Sequence, residues 1–137
     1  MKLDPSYLLT PFLAWLIAGC SKFAINCLCE RRLAFDLIGY GGLPSNHSAI
    51  TGSMVALIAL KEGIDTPAFG VAVTLTYIVI LDAGSLRRQI GLHAGAINAL
   101  TPQNSRKLRE RMGHSPLEIA AGLVVGALSA ALMYWII

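Results

Sequence analysis

The chain has 137 residues, 55% of them hydrophobic, a mean hydropathy of +0.61 and a formal net charge of +3 at pH 7. This length is enough for one domain, and the composition is too apolar for a soluble domain of that size, so an integral membrane protein is predicted. The basic residues lie beside apolar segments and are not interleaved with aromatic residues, which argues against a nucleic-acid partner.

Four apolar segments are candidates for membrane helices: Tyr7 to Cys29, Ser48 to Leu60, Pro67 to Gly84 and Leu117 to Ile137. Only the last is an uninterrupted run of the about 20 residues that cross a hydrocarbon core. The second is short, so its glycine-rich start is expected to lie below the membrane surface, against protein. Strand patterning is absent. The predicted fold class is therefore all-α, a single domain over residues 1–137 built as a bundle of about four transmembrane or membrane-embedded helices.

The first segment carries a cation and thiols. Lys22 interrupts the apolar run, and a lysine there either has a function or extends its amine to the membrane surface. Cys20, Cys27 and Cys29 lack the Cys-x-x-Cys spacing of a metal site, so they are interpreted as packing residues or free thiols.

The second segment begins at Pro-Ser-Asn-His, residues 44–47. A turn that leads into a helix exposes unpaired N–H groups and the positive end of the helix dipole, which together attract phosphate. Ser45 or Asn46 is the expected N-cap. His47 has either a structural role at this helix start or a chemical one.

The third segment ends at Asp82, whose carboxylate is costly in the membrane unless it is paired with Arg87, Arg88 or Lys22. Residues 90–100 suit a short helix that continues this segment or lies at the interface, and His93 is interpreted as structural. Residues 105–111 are predicted to form a capped basic turn that faces lipid headgroups on its way back to the bilayer.

The last segment has clear start signals, because Ser115 is a good N-cap, Pro116 fits the first helical position and Glu118 completes a capping box. His114 then lies just outside this helix. Gly122 and Gly126 form a small-residue face that permits close helix packing within the chain or between copies. With so few membrane segments, a homo-oligomer is expected.

If the segments alternate across the bilayer, nine of the eleven basic residues lie at one face, and only Lys2 and Lys61 lie at the other. The positive-inside tendency then places the basic face in the cytoplasm, in an inner or plasma membrane.

Two short motifs carry a family resemblance. Pro-Ser-Asn-His and Gly-His-Ser-Pro-Leu-Glu, residues 44–47 and 113–118, resemble the second and third signature blocks of the type-2 phosphatidic acid phosphatase superfamily, which includes the vanadium haloperoxidases. The short length and Asp-Ala-Gly-Ser-Leu-Arg-Arg at residues 82–88 are similar to the divergent membrane branch of that superfamily.

The match to the superfamily pattern is partial. In the first block of the pattern an arginine stands seven residues after a lysine, and here Cys29 stands at that distance from Lys22. In the second block, Asn46 replaces a glycine. His114 has Glu118 at the right offset, but Leu108 stands in the position of the arginine of the third block. The sequence leaves open whether Arg87, Arg88 or Arg109 takes that role.

The resemblance implies a phosphohistidine mechanism on a phospholipid or polyprenyl phosphate, with no metal and no other cofactor. His114 would be the nucleophile, oriented by Glu118, and His47 the proton donor. The phosphate would be bound by residues that share a positive or hydrogen-bonding group, namely Lys22, Ser45, Asn46, Arg87 and Arg88, with Asp82 in support. Two alternatives stay open: a noncatalytic protein that binds or transports anionic lipid, and an oligomeric scaffold that uses the two glycines for assembly.

Overall fold

The computed structural model describes residues 4–37, 42–102 and 105–137. Its α-helices are α1 (Ser6–Glu30), α2 (Asn46–Glu62), α3 (Pro67–Leu81), α4 (Arg87–Leu100) and α5 (Pro116–Ile136). A short 3₁₀ helix covers Phe35–Leu37, and a π-helical turn, Asp82–Leu86, joins α3 to α4. These described ranges contain no strand, and the all-α prediction is confirmed.

The helices begin where short polar side chains cap them. The Ser48 N–H donates to Ser45 Oγ at the start of α2, so the N-cap is Ser45 and not Asn46. Thr66 caps α3 in the same way. The predicted capping box of Ser115 and Glu118 is present at the start of α5 and is confirmed. These caps satisfy N–H groups that a helix end otherwise leaves unpaired.

Within the described residues, three helical stretches are long and apolar enough to cross a membrane: Ser6–Glu30, the continuous Pro67–Leu100 and Pro116–Ile136. The 17-residue α2 packs against α1, α3 and α5. The predicted short second helix therefore lies against protein along much of its length. The other helices leave many large apolar side chains on the outside, as expected for surfaces that contact lipid.

Helices α2 and α5 pack at glycine. A Cβ added at Gly122 would overlap the Ser45 carbonyl oxygen, and one added at Gly126 would overlap that of Ala49. The small-residue face predicted from the sequence therefore serves contacts within the chain. This placement argues against a scaffold that uses the same face only for assembly, while the homo-oligomer stays a prediction.

Replacing Gly126 with leucine is expected to lower the free energy of unfolding by about 3 kcal/mol, because the added side chain must force α2 and α5 apart. Unfolding in mixed detergent micelles, followed by circular dichroism, would measure the loss. Gly70→Leu is the matched control, since a Cβ at Gly70 meets no atom within 4 Å. Equal stability of the two variants would contradict the packing described here.

Contacts between helix ends define the two faces of the bundle. Lys61 at the end of α2 lies 2.6 Å from Asp4 before α1, and the Tyr7 hydroxyl donates to Glu62. Hydrogen bonds from Lys61 and Ser6 lower the pKa of Asp4 to about 2. The opposite face holds the start of α2, the π turn and the start of α5. Lys61 thus lies at the opposite end of α2 from His47, and Lys2 lies outside the described residues.

Candidate functional site

A cavity of about 630 Å³ lies at the face formed by the π turn and the starts of α2 and α5. We call it the histidine cavity. It is lined by Trp15, Leu16, Gly19, Cys20, Lys22, Phe23, Asn26, Phe35, Leu37, Asn46, His47, Arg87, Arg109, Met112, Gly113 and His114. Its lining includes three cations, and no carboxylate occurs among these described residues. It therefore favours an anion.

The two predicted histidines come together in this cavity. The ring centroids of His47 and His114 are 6.3 Å apart. The contact between the starts of α2 and α5 explains this proximity, because the Ser45 N–H donates to the Glu118 carbonyl at 2.9 Å. Both rings therefore lie close enough together to contact one bound group.

Glu118 both caps α5 and orients His114. Its Oε2 accepts from the Ser115 N–H at 2.9 Å and lies 3.2 Å from His114 Nδ1. Since a carboxylate only accepts, Nδ1 carries the proton in this pair, and Nε2 keeps a lone pair. The same oxygen atom of Glu118 therefore serves both roles that the sequence allowed, the cap of α5 and the contact with His114.

Burial favours the neutral form of the His114 imidazole. The side chain is 8% exposed. This burial lowers the pKa of His114 below its ordinary value of 6.5, although the hydrogen bond to Glu118 opposes the shift. A neutral imidazole with a free Nε2 lone pair is the form that acts as a nucleophile.

Replacing Glu118 with glutamine is expected to lower the pKa of His114 further, because the amide keeps a hydrogen-bond acceptor but removes the charge that stabilises imidazolium. NMR titration of isotopically labelled histidine would measure this, with the His114 signal assigned by its loss in His114→Ala. In the wild type the ring should titrate below pH 6.5. A higher pKa in Glu118→Gln than in the wild type would contradict the assigned contact.

Arg87 is directed by the π turn. Its backbone N–H donates to the Asp82 carbonyl, and its Nε donates to Asp82 Oδ2 at 2.6 Å. Residues five apart do not face each other on a regular α-helix, whereas the wider π turn brings them together. Of the three cations that the sequence offered to Asp82, the structure pairs it with Arg87.

The π turn also binds the chain segment that precedes α5. The His114 N–H donates to the Ala83 carbonyl at 2.9 Å. Gly113 has a φ of +88°, and a Cβ there would lie 3.1 Å from the Arg88 nitrogen. A residue with a side chain would be strained at this position, so glycine allows the close approach that places His114 in the cavity.

Two buried polar groups in the cavity wall have no hydrogen-bond partner among the described residues. Lys22 is 9% exposed, and its amine forms no hydrogen bond or close ion pair within the described residues. Asn46 Oδ1 is buried without a hydrogen-bond partner in the same described part of the chain. Buried polar groups without hydrogen bonds are costly, so this arrangement is consistent with a binding site for an anion that would accept a hydrogen bond from Lys22.

The other predicted site residues lie around the cavity. Ser45 is fully buried, and its hydroxyl accepts from the Ser48 hydroxyl. Neither Ser45 nor Arg88 is among the residues that line the cavity, and Asp82 and Glu118 stand behind Arg87 and His114. The cavity also contains Asn26, which the sequence interpretation missed. Its spacing of four residues from Lys22 places both on one face of α1 and could have revealed it.

A family model described as "Divergent PAP2 family" matches residues 3–129. The chain belongs to the divergent PAP2 family. It is also 30% identical over 140 residues to a protein of Bacillus subtilis (strain 168) described as "Uncharacterized membrane protein YuiD", covering 88% of this chain and 89% of the relative. No solved structure matches the chain significantly. The predicted resemblance is confirmed, and the chain is an integral membrane protein of this family.

The departures from the superfamily pattern have a structural context. Cys29, in the position of the first arginine, is exposed and does not line the cavity. Leu108, in the position of the third-block arginine, is 50% exposed and is absent from the lining too. The next residue, Arg109, does line it. Among the described lining residues, the guanidinium groups are thus those of Arg87 and Arg109.

Proposed function

We propose that this protein is a membrane phosphatase that hydrolyses a lipid phosphate or diphosphate monoester through a phosphohistidine. The observation that carries the proposal is the pair of imidazoles, 6.3 Å apart, in a cavity lined by three cations. Membership of the divergent PAP2 family supports it.

His114 is the proposed nucleophile. Its neutral Nε2 attacks phosphorus, a P–N bond forms, and the P–O bond to the leaving alkoxide breaks. Burial and the charge of Arg87 lower the pKa of His47, so its protonated form depends on the negative charge of the bound phosphate. Protonated in this way, His47 gives its proton to that alkoxide. Water then attacks the phosphohistidine while His47 accepts a proton from it, inorganic phosphate leaves, and both rings return to their starting states. Glu118 holds the His114 ring and stabilises the positive charge that develops on it.

The cations stabilise the phosphoryl oxygens. Lys22, Arg87 and Arg109 line the cavity and offer charged donors, and Asn46 adds a short side chain at the start of α2. Donors fixed before the reaction stabilise developing charge, each by about 3 kcal/mol in favourable cases. Asp82 restrains Arg87 through its 2.6 Å ion pair. Ser45 acts on the site as the cap that fixes the start of α2.

The cavity also has an apolar wall that suits a hydrocarbon chain. Trp15, Leu16 and Phe23 of the membrane helix α1 line it, with Phe35 and Leu37 beyond them. These side chains leave space and apolar surface that a phosphate alone would not use. A phospholipid or polyprenyl phosphate can place its headgroup at the histidines and its chain along α1.

The proposal also includes a membrane orientation and a homo-oligomeric assembly. The cavity is lined by Lys22, Arg87 and Arg109, which the sequence pattern assigns to the basic membrane face, so we place it at the cytoplasmic edge of an inner or plasma membrane. A homo-oligomer would cover part of the apolar surface that the helices leave exposed.

The direct test uses purified protein in detergent micelles. Phosphate release would be measured from phosphatidic acid, phosphatidylglycerophosphate and a polyprenyl diphosphate. We expect turnover of at least one of them and a trapped, acid-labile phosphohistidine. Absence of release from every substrate, in a preparation shown to be folded, would overturn the enzyme assignment.

A noncatalytic anionic-lipid protein is the second candidate, favoured by Cys29 and Leu108 in the positions of two family arginines. In that case the cavity binds a lipid phosphate without cleaving it. Binding of radiolabelled phosphatidic acid that is abolished by Arg87→Ala, with no release of phosphate, would support this candidate over the enzyme.

A further inference from the structure

One face of α4 is covered by the chain that returns toward α5. The buried residues of α4 are Gly91, Ala94 and Asn98, which recur along a single face. Residues 105–113, here called the return segment, lie against it. A Cβ at Gly91 would overlap the carbonyl oxygen of Glu110, so the two backbones are in direct contact. The sequence interpretation placed a capped basic turn here; the segment is instead irregular and held by α4.

Asn98 binds the backbone of this segment with its whole amide group. Its Nδ2 donates to the Leu108 carbonyl and its Oδ1 accepts from the Leu108 N–H, both at 2.7 Å. The same Nδ2 donates to Glu110 Oε1 at 2.8 Å. Asn98 is 6% exposed. Because the Asn98 amide both donates to and accepts from the backbone of Leu108, it fixes the direction of the peptide groups on either side of Leu108.

The next residue along is Arg109, one of the cations of the histidine cavity. Its Nε also donates to the Arg111 carbonyl within the return segment. Because the segment has no helix of its own, the backbone position of Arg109 depends on the contacts that hold its neighbours. The largest set of side-chain hydrogen bonds among these described contacts comes from Asn98.

We propose that Asn98 is a positioning residue that holds the return segment so that Arg109 presents its guanidinium to the phosphate in the histidine cavity. The inference rests on the proposed phosphate site. It assigns the role of the third-block arginine to Arg109, one residue later than the superfamily pattern places it, and it gives α4 a function in the site. Fixed donors bind an anion better than mobile ones because less ordering is required on binding.

A double-mutant cycle with orthovanadate as the probe tests this proposal. Binding would be measured by isothermal titration calorimetry in detergent for the wild type, Asn98→Ala, Arg109→Ala and the double variant. We expect Arg109→Ala to weaken binding about 10- to 100-fold, as for loss of a charged hydrogen bond. Asn98→Ala should weaken it about tenfold when Arg109 is present and have no further effect when it is absent. Gln89→Ala, an exposed amide on the same helix, is the control.

An equal loss from Asn98→Ala in both backgrounds would overturn the proposal, since Asn98 would then act independently of Arg109. Wild-type affinity in Asn98→Ala would overturn it as well. If Asn98→Ala does not fold, Gly91→Ala replaces it in the cycle, because its new Cβ displaces the return segment at Glu110 instead. The same dependence on Arg109 is then expected.

The cycle separates this proposal from the enzyme assignment. Vanadate binding with the expected coupling but without phosphate release would overturn the phosphatase and support the role of Asn98. Phosphate release with no coupling between Asn98 and Arg109 would leave the enzyme standing and overturn the positioning role. Absence of vanadate binding by the folded wild type would overturn the phosphate site and the positioning role together.

Discussion

Replacing His114 with alanine is expected to reduce phosphate release by about a thousandfold or more, because the variant lacks the atom that forms the covalent intermediate. The remaining cations would still bind and polarise the substrate, so vanadate affinity should fall far less than turnover. Release of phosphate under single-turnover conditions and trapping of the phosphohistidine would measure the effect. The trapped species should be missing from the variant.

His93→Ala is the matched control for this prediction. His93 is an exposed histidine of α4, outside the cavity lining, and its loss should leave the rate unchanged. If His114→Ala kept its activity, or if a phosphohistidine still formed in it, the assignment of the nucleophile would be wrong. If both variants lost activity equally, the effect would report on stability and not on chemistry.

Replacing His47 with alanine should slow hydrolysis of an alkyl phosphate about 100- to 10,000-fold, the usual contribution of a general acid. An aryl phosphate such as 4-nitrophenyl phosphate has a leaving group that departs without protonation, so formation of the phosphohistidine from it should be much less affected. Its breakdown still needs the base that activates water. The variant should therefore release a burst of nitrophenol matching the enzyme concentration, followed by a slow steady state.

The substrate comparison makes this second prediction specific for His47. Arg87→Ala is a useful contrast, because loss of a phosphate-binding cation should slow both substrates by similar factors. Equal slowing of the alkyl and aryl phosphates by His47→Ala would show that His47 binds phosphate and does not transfer a proton. A burst in His47→Ala and none in His114→Ala would support the division of roles.

Local patterns were enough to predict much of the fold. The apolar lengths predicted the membrane helices, and Ser115, Pro116 and Glu118 predicted the start of α5 to the residue. These features depend on neighbours within one helical turn, where capping and side-chain spacing dominate. The π turn was not predicted. It differs from an α-helical turn by one extra residue, and no distinct local pattern in the sequence marks that residue.

The tertiary structure was needed wherever the sequence offered several equivalent partners or uses for one residue. Asp82 had three possible cationic partners by sequence, and the π turn selected Arg87. The glycines of α5 had two possible uses, and the overlap of their added Cβ atoms with Ser45 and Ala49 shows close packing within the chain. Such outcomes depend on helix phase and on which surfaces meet, which no local window specifies.

The sequence by itself determined the membrane class, the helix starts that carry His47 and His114, and the family resemblance, since each is written in composition or in a short run of residues. Only the tertiary structure decided that those imidazoles lie 6.3 Å apart and that Arg109 joins Lys22 and Arg87 in one cavity. The physical reason is that the cavity is formed where the starts of α2 and α5, the π turn and the return segment meet. Hydrogen bonds between residues distant in the chain, from Ser45 to Glu118 and from His114 to Ala83, set that meeting.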